Sequence, residues 1–266
     1  MKPSDIQSAA AILWQSWGDA VCINELPAVC RPADRAEGYA IQAELARLSG
    51  QAVAGWKIAA TSLAGQAHIG VDGPLAGRLL ANRTLHATET NAPIAVSLQG
   101  NRMRVAEAEF AFRFGRALPK RPEEYRLDEV LSAVATLHPA IEIPDSRYED
   151  FVRVGAPQLI ADNACACWFV LGHATTADWR HINLAEHAVT AYCNGSEAAT
   201  GSGTNVLGDP RWALTWIANE LSCYGDGLRV GDIVTTGTCI KPVAITEGDQ
   251  LRADFGVVGE IAVACV

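Results

Sequence analysis

The stretch RVAEAEFAFRF, residues 104–114, alternates regularly enough to predict a β-strand with two different faces. Successive side chains of a strand point to opposite sides. One side would carry only small and aromatic apolar residues, and the other would carry two acids between apolar neighbours. The first side holds Ala106, Ala108, Phe110 and Phe112, and the second holds Val105, Glu107, Glu109 and Ala111. The two carboxylates would therefore lie about 7 Å apart on one face.

Two ionised carboxylates on a partly buried face repel each other, so a compensating charge is expected. Bound Mg²⁺ or Mn²⁺ would supply it, because hard cations take carboxylate oxygens as ligands. The alternative is an exposed edge strand with two solvated glutamates. A third acid, Glu142, lies in the apolar run AIEIP, residues 140–144, and also needs a partner. That partner is either an arginine, Arg147 or Arg153, or the same metal.

Upstream of this strand the chain predicts helices first and strands afterwards. Residues 3–17 and 33–49 have helical character, and Gly50 is a typical stop for the second helix. From about residue 51 short β-like runs appear, separated by turn residues. Among the turns, Asn194-Gly195 is a strong signal for a two-residue hairpin loop.

Two further helices are predicted inside the strand-rich part, at residues 127–137 and 209–223. Asp209 is a good N-cap for the second, since the proline after it suits the first helical position. Trp212 and Trp216 are spaced by one helical turn, which predicts a pair of core side chains.

Strands and helices do not alternate strictly, which argues against a doubly wound parallel sheet. We therefore expect an α+β protein with a β-rich sheet of mixed topology. Residues 1–50 would form a small helical N-terminal part and residues 51–266 the β-rich catalytic domain, fused into one globular unit.

Composition limits the classes of function. The 266 residues carry a net charge of −9 with scattered basic residues, so nucleic acid is not an expected partner. No stretch approaches the roughly 18 apolar residues of a membrane span, and no secretory signal is evident, which predicts a cytoplasmic protein. The eight cysteines contain no CxxC pair and are expected to be reduced. Four of them, Cys165, Cys167, Cys193 and Cys265, are expected to be small buried hydrophobes.

Several short motifs, taken in order, resemble the hydratase and decarboxylase branch of the fumarylacetoacetate hydrolase superfamily. The resemblance runs from about residue 38 to the C-terminus, and the order of the motifs carries it more than any one of them. The motifs are Gly55-Trp56-Lys57-Ile58, Thr61-Ser62, Gly70-Val71-Asp72, Glu107-Ala108-Glu109, Ala140-Ile141-Glu142-Ile143, Asp145-Ser146-Arg147, Ala161-Asp162-Asn163-Ala164 and Gly231-Asp232-Ile233-Val234.

This resemblance implies a fold and a set of functional residues. The fold would be the mixed β-roll of the superfamily, with a helical or α/β N-terminal part, and members are commonly homo-oligomers. The ligands of Mg²⁺ or Mn²⁺ would be Glu107, Glu109 and Glu142. Lys57 and Asp72 would be catalytic, and the substrate would contact Asp162, Asn163, Thr236, Gly237 and Thr238. Simpler roles stay open for several of these: a surface lysine for Lys57, an exposed turn for Asp72 and a turn cap for Asp162 and Asn163.

The implied activity is the addition of water to a 2-hydroxy-2,4-dienoate, giving a 4-hydroxy-2-oxo acid, in the breakdown of aromatic ring-cleavage products. The sequence departs from the hydratase pattern at Leu75, where an acid is common, and at Cys165, where serine is frequent. Decarboxylation of a 2-oxo-dienedioate of the 4-oxalocrotonate type therefore stays open, and Arg78 would suit the second carboxylate of such a substrate. A non-catalytic partner subunit, in complex with a pathway enzyme, is the other alternative. The hydrolases of the superfamily use a His–Glu pair to activate water, and hydrolysis is the less supported activity for this sequence.

Overall fold

The strand predicted from residues 104–114 is the centre of the largest sheet in the protein. In this computed structural model, which describes residues 1–89 and 92–266, it runs from Val105 to Phe114. Helices and strands are numbered separately along the chain. The α-helices of the described residues are α1 (Pro3–Asp19), α2 (Arg35–Ser49), α3 (Leu63–Ile69), α4 (Leu127–Ala133), α5 (Gly155–Ala161) and α6 (Pro210–Tyr224). Their strands are β1 (Val53–Ala59), β2 (Leu75–Leu80), β3 (Thr84–His86), β4 (Ile94–Val96), β5 (Val105–Phe114), β6 (Leu118–Pro119), β7 (Val134–Ile143), β8 (Trp168–Leu171), β9 (Ala188–Cys193), β10 (Ser196–Ser202), β11 (Gly227–Leu228), β12 (Ile233–Thr238), β13 (Val243–Ala244), β14 (Gln250–Asp254) and β15 (Glu260–Cys265).

The large sheet has mixed topology and is curled. Its order is β2-β1-β12-β5-β7-β8-β3, and β13 adds to β5 at one end. The β1–β12 and β3–β8 pairs are parallel, and the other pairs in this sheet are antiparallel. A second sheet has the order β10-β9-β14-β15-β4, and β11 pairs with β6. The predicted α+β architecture is confirmed.

The two faces of β5 have the predicted difference in character. Ala106, Ala108, Phe110 and Phe112 point into the main hydrophobic core, which they share with residues of the second sheet such as Val263. The opposite face carries Glu107, Glu109 and Ala111. On this acidic face a small apolar cluster adjoins the acids. It consists of Leu79, Ala111, Ala140, Phe169, Leu171 and Ile233.

The N-terminal helices build a core of their own. Ala10 and Leu13 of α1 pack with Ile41 and Leu45 of α2, and Tyr148 joins them from the β-rich part. Asp34 caps α2 by accepting a hydrogen bond from the Glu37 N–H, and Gly50 ends it in the left-handed region. No helix of the described residues is long and apolar enough to cross a membrane.

Three local predictions need correction. The helix expected at residues 127–137 ends at Ala133, because the segment that follows, which includes the β-branched Val134 and Thr136, pairs with β5 as strand β7. Trp212 is 53% exposed and Trp216 only partly buried, since the buried face of α6 is made of smaller residues such as Leu214 and Ile217. Cys265 is buried as expected, but Cys165, Cys167 and Cys193 are only half-buried; all eight cysteines are free thiols.

Other local signals are confirmed. Asp209 caps α6 and Pro210 is its first residue. Asn194 and Gly195, with φ of 52° and 80°, join β9 to β10 as a two-residue loop. Both central residues have positive φ, as a type I′ turn requires.

Candidate metal centre

Three glutamates meet on one face of the β5–β7 pair. The antiparallel register places Glu107 directly opposite Glu142, and Glu109 lies one alternate position further along β5. One carboxylate oxygen from each lies within 4.8 Å of the others. Glu109 and Glu142 are 0% and 1% exposed, whereas Glu107 is half-buried and forms the accessible side of the cluster. The structure thus brings together the three acids predicted as metal ligands.

The electrostatics of the cluster call for a cation. Burial, with repulsion from Glu142, raises the pKa of Glu107 to about 7. Burial and its two acidic neighbours raise the pKa of Glu109 well above its usual range. Glu109 Oε1 and Glu142 Oε2 are buried without a hydrogen-bond partner among the described residues. Orphaned carboxylate oxygens pointing into one small region are suitable donors for a hard divalent ion, so these residues fit Mg²⁺ or Mn²⁺.

Lys57 lies against this cluster from strand β1. Its Nζ is 2.9 Å from Glu142 Oε1 and donates a hydrogen bond of 3.1 Å to the Ala164 carbonyl. Burial by itself would lower the pKa of Lys57, but Glu142, Glu107 and Glu109 raise it by more. The ammonium is therefore charged, and the reading of Lys57 as an ordinary surface lysine is wrong, since its side chain is only 3% exposed.

The carbonyl that accepts from Lys57 lies in an unusual turn. Asn163, Ala164 and Cys165 have φ of 56°, 50° and 61°, so three consecutive non-glycine residues adopt the left-handed region. The Asn163 side chain holds this turn to β2, because Oδ1 accepts from the Arg78 N–H (2.6 Å) and Nδ2 donates to the Arg78 carbonyl (2.9 Å). Strained backbone of this kind concentrates at functional sites. The amide of Asn163, expected to contact substrate, is thus used within the protein.

Gly77 has no side chain, and this leaves space for the left-handed turn. Gly77 of β2 is directly opposite Lys57 on β1. A Cβ at Gly77 would lie 2.2 Å from the Asn163 carbonyl oxygen and 3.1 Å from Lys57 Cδ. Only a glycine therefore lets the left-handed turn and the lysine approach β2 so closely.

Strand β12 contacts the cluster through Thr235, which is in none of the sequence motifs, and through Gly237, which was expected to contact substrate. The hydroxyl of Thr235 donates to Glu109 Oε2, and the Gly237 N–H donates to the same oxygen at 2.8 Å. Thr236 and Thr238 donate instead to the Phe110 and Ile240 carbonyls. Thr235 is directly opposite Lys57 in the parallel pairing of β1 and β12, and the sequence alone does not predict this register.

Two other predicted residues lie in different surroundings. The buried carboxylate of Asp162 accepts hydrogen bonds from Ser146 (2.7 Å) and from the backbone of Arg147 (3.1 Å), and it forms an ion pair with the Arg147 guanidinium. Asp162 therefore stabilises the backbone next to the turn whose Ala164 carbonyl accepts a hydrogen bond from Lys57. Asp72 is exposed in the loop between α3 and β2.

Arg78 points away from the acids. It is opposite Trp56 in the β1–β2 register, one position off the Lys57–Gly77 pair, so it shares the face of Trp56. Its guanidinium lies 4.5 Å from the centre of the Trp56 ring. The expectation that Arg78 would bind a distal carboxylate beside the metal is therefore not supported by its position.

Comparison with known proteins shows which family this chain resembles. The family described as fumarylacetoacetate (FAA) hydrolase C-terminal matches residues 78–265. The chain is 33% identical to 2-keto-4-pentenoate hydratase of Burkholderia vietnamiensis over 261 residues, covering 97% of this chain and 96% of that protein. It is 31% identical to 2-keto-4-pentenoate hydratase of Paraburkholderia xenovorans over 264 residues, covering 98% and 95%.

A solved structure shows the same fold. The structure of 4-oxalocrotonate decarboxylase from Pseudomonas putida, complexed with magnesium and adipate, superposes with a TM-score of 0.88. The match covers 100% of this chain and 99% of that one, at 23% sequence identity. The mixed β-roll with a helical N-terminal part, expected from the sequence, is confirmed.

Proposed function

This chain belongs to the fumarylacetoacetate hydrolase family, and on that basis we propose that it is a metal-dependent hydratase of small 2-hydroxy-2,4-dienoic acids. The product would be a 4-hydroxy-2-oxo acid, formed in the degradation of aromatic ring-cleavage products. The observation that carries the proposal is the cluster of Glu107, Glu109 and Glu142 facing the buried ammonium of Lys57. The hydratase names of relatives that align with nearly the whole chain support the same activity.

In this proposal the three glutamates hold Mg²⁺ or Mn²⁺. Their oxygen donors, and the two buried oxygens left without partners, suit a hard divalent cation. The bound cation supplies Lewis-acid stabilisation for negative charge on the 2-oxygen of a substrate that chelates through its carboxylate and that oxygen.

Lys57 would supply the second positive charge. The reaction removes the enol proton from the 2-oxygen, adds a proton to C5, and then adds hydroxide to C4 and a proton to C3. Negative charge develops on the 2-oxygen, and a fixed ammonium beside it stabilises that charge without reorganisation. The three acids, with Glu142 at 2.9 Å, keep Lys57 protonated. The low exposure of both side chains excludes bulk water from this end of the site.

The surroundings of the acids favour a monocarboxylic substrate over a dienedioate. An apolar cluster that includes Ala140 and Phe169 adjoins them on the same face, and Arg78 lies on the other face of the sheet.

Asp72 remains a predicted catalytic residue, in an exposed loop that leads into β2. We also propose that the protein forms a homo-oligomer, which sedimentation velocity would test.

The experiment is to offer the purified protein 2-hydroxypenta-2,4-dienoate and, separately, 4-oxalocrotonate, each with Mg²⁺ and with EDTA. Loss of diene absorbance would be followed together with CO₂ release, and products would be identified by NMR. We expect Mg²⁺-dependent formation of 4-hydroxy-2-oxopentanoate from the monoacid. Release of CO₂ from the diacid, with no water addition to the monoacid, would replace the hydratase assignment by a decarboxylase. No turnover of either acid would favour a non-catalytic subunit.

A further inference from the structure

We propose that Thr235 is a positioning residue that leaves Glu109 with one free oxygen for the metal and thereby favours Mg²⁺ over Ca²⁺. The inference rests on the proposed metal site. It assigns a role to a residue that neither the motifs nor the three-acid cluster includes.

The geometry comes from an irregularity in β12. Thr235 is opposite Ala111 and Thr238 is opposite Glu109, and the β5–β12 register shifts between these two positions. The shift lets both the Thr235 hydroxyl and the Gly237 N–H reach Glu109 Oε2. Irregularities of this kind redirect side chains next to active sites.

Gly237 is required for this arrangement. Its φ is +98°, and a Cβ there would lie 2.1 Å from the Thr61 hydroxyl oxygen. The backbone donor to Glu109 is therefore fixed by the packing of β12 against Thr61, which follows β1. Thr235 is fully buried, so its hydroxyl has no contact with bulk water.

The two oxygens of Glu109 are consequently unequal. Oε2 accepts two hydrogen bonds, whereas Oε1 is buried with no partner among the described residues. A carboxylate with one oxygen held by two donors is suited to bind a cation through the other oxygen alone. Mg²⁺ takes one oxygen from each carboxylate in a tight octahedron, while Ca²⁺ accepts six to eight ligands and often takes both oxygens of one carboxylate. Fixing Oε2 therefore disfavours the larger ion.

The matched control is the next residue. Thr236 is also fully buried, and its hydroxyl donates a 3.0 Å hydrogen bond to the Phe110 carbonyl, on the core side of the strand. Thr236→Val removes a buried hydroxyl of the same kind without touching Glu109. Thr235→Ser keeps a hydroxyl at the proposed position.

The experiment is titration calorimetry of the metal-free protein with Mg²⁺ and with Ca²⁺, for the wild type, Thr235→Val, Thr235→Ser and Thr236→Val. We expect Thr235→Val to weaken Mg²⁺ binding by roughly 10- to 100-fold, as is typical when a partner of a metal ligand is lost. Ca²⁺ binding should weaken less, so that the ratio of the two dissociation constants changes at least several-fold. Thr235→Ser and Thr236→Val should keep the wild-type ratio, although Thr236→Val should lower the melting temperature.

The outcomes separate the inference from the proposed function. If the wild type binds Mg²⁺ and Thr235→Val keeps the wild-type ratio of the Mg²⁺ and Ca²⁺ dissociation constants, the role of Thr235 is overturned and the metal site stands. Wild type that binds neither ion overturns both. Thr235→Ala provides the same comparison if the valine variant does not fold, and an unchanged ratio in that variant overturns the inference equally.

Discussion

Lys57 and Glu142 form an ion pair, with 2.9 Å between Nζ and Oε1, in which neither side chain is more than 3% exposed. One partner is the proposed catalytic cation and the other a proposed metal ligand. The pair therefore ties the charge that would stabilise the substrate to the group that would hold the metal. Removal of one member of a buried pair leaves the other uncompensated, at a cost of about 3–5 kcal/mol.

Lys57→Met should reduce kcat for dienoate hydration by about 10²–10³, because a preorganised charge beside the 2-oxygen is lost. It should also lower the melting temperature in EDTA, since Glu142 loses its counter-ion. Saturating Mg²⁺ should restore most of that stability, because the cation replaces the missing positive charge. Steady-state kinetics and thermal unfolding with Mg²⁺ or EDTA measure both effects.

The control for this variant is Lys241→Met, at an exposed lysine, which should leave both quantities unchanged. A Lys57→Met protein with near wild-type kcat would remove Lys57 from the chemistry and leave it a purely structural partner of Glu142.

Glu107→Gln should have opposite effects on the metal-free and metal-bound protein. Without metal, the half-buried Glu107 lies close to two other carboxylates, so a neutral side chain relieves repulsion and should raise the melting temperature. With metal, a ligand is lost, so the rise in stability on adding Mg²⁺ should shrink. A ligand at 100 times its dissociation constant contributes about 2.7 kcal/mol, which sets the scale of the wild-type shift.

The control for Glu107→Gln is Glu129→Gln, at a half-buried acid that pairs with Arg121 away from the cluster. That variant should keep the full stabilisation by Mg²⁺. If Glu107→Gln keeps it as well, Glu107 is not a ligand.

Much of β5 could be predicted from its alternation alone. The two-residue period is a local property, so it correctly places Glu107 and Glu109 on one face and Phe110 on the other. The pairing of Glu107 with Glu142 is different, because the register between β5 and β7 depends on the chain between them. The sequence indicates that Glu142 needs a partner, but it does not identify that partner.

Other parts of the site depend on tertiary packing. The role of Thr235 follows from a register shift in β12, and the left-handed turn at Asn163 depends on the space above Gly77. Neither has a periodic signature. In the same way, residues 134–137 look helical in isolation, and pairing with β5 makes them strand.

Gly77→Ala tests whether the left-handed turn holds Lys57 in place. The added Cβ would meet the Asn163 carbonyl oxygen at 2.2 Å, so either the turn or β2 must move. We expect a loss of stability of about 1–3 kcal/mol, as for other overpacked sites, and a fall in kcat of at least tenfold as Lys57 shifts. Denaturant unfolding and kinetics at saturating Mg²⁺ are the measurements.

Gly73→Ala, four residues earlier, is the matched control because no atom lies within 4 Å of a Cβ at that position. It should behave like the wild type. A stable, fully active Gly77→Ala protein would show that the close approach at Gly77 is not needed to position Lys57.

Arg78→Met addresses the choice between a monoacid and a diacid substrate. The Arg78 guanidinium stacks on Trp56, on the face of β1 and β2 opposite to Lys57, so it should not touch a substrate bound at the acids. We expect kcat/KM for 2-hydroxypenta-2,4-dienoate to stay within about twofold of wild type, since a change of that size is below 1 kcal/mol. Any slight turnover of 4-oxalocrotonate should change by the same factor. Stability should fall by about 0.5–2 kcal/mol through the lost cation–π contact.

Arg83→Met is the matched control, because Arg83 also stacks on a tryptophan, with its guanidinium 4.3 Å from the Trp168 ring. A loss of activity on the diacid alone, seen with Arg78→Met and not with Arg83→Met, would place Arg78 at the distal end of the substrate and would favour the decarboxylase over the hydratase.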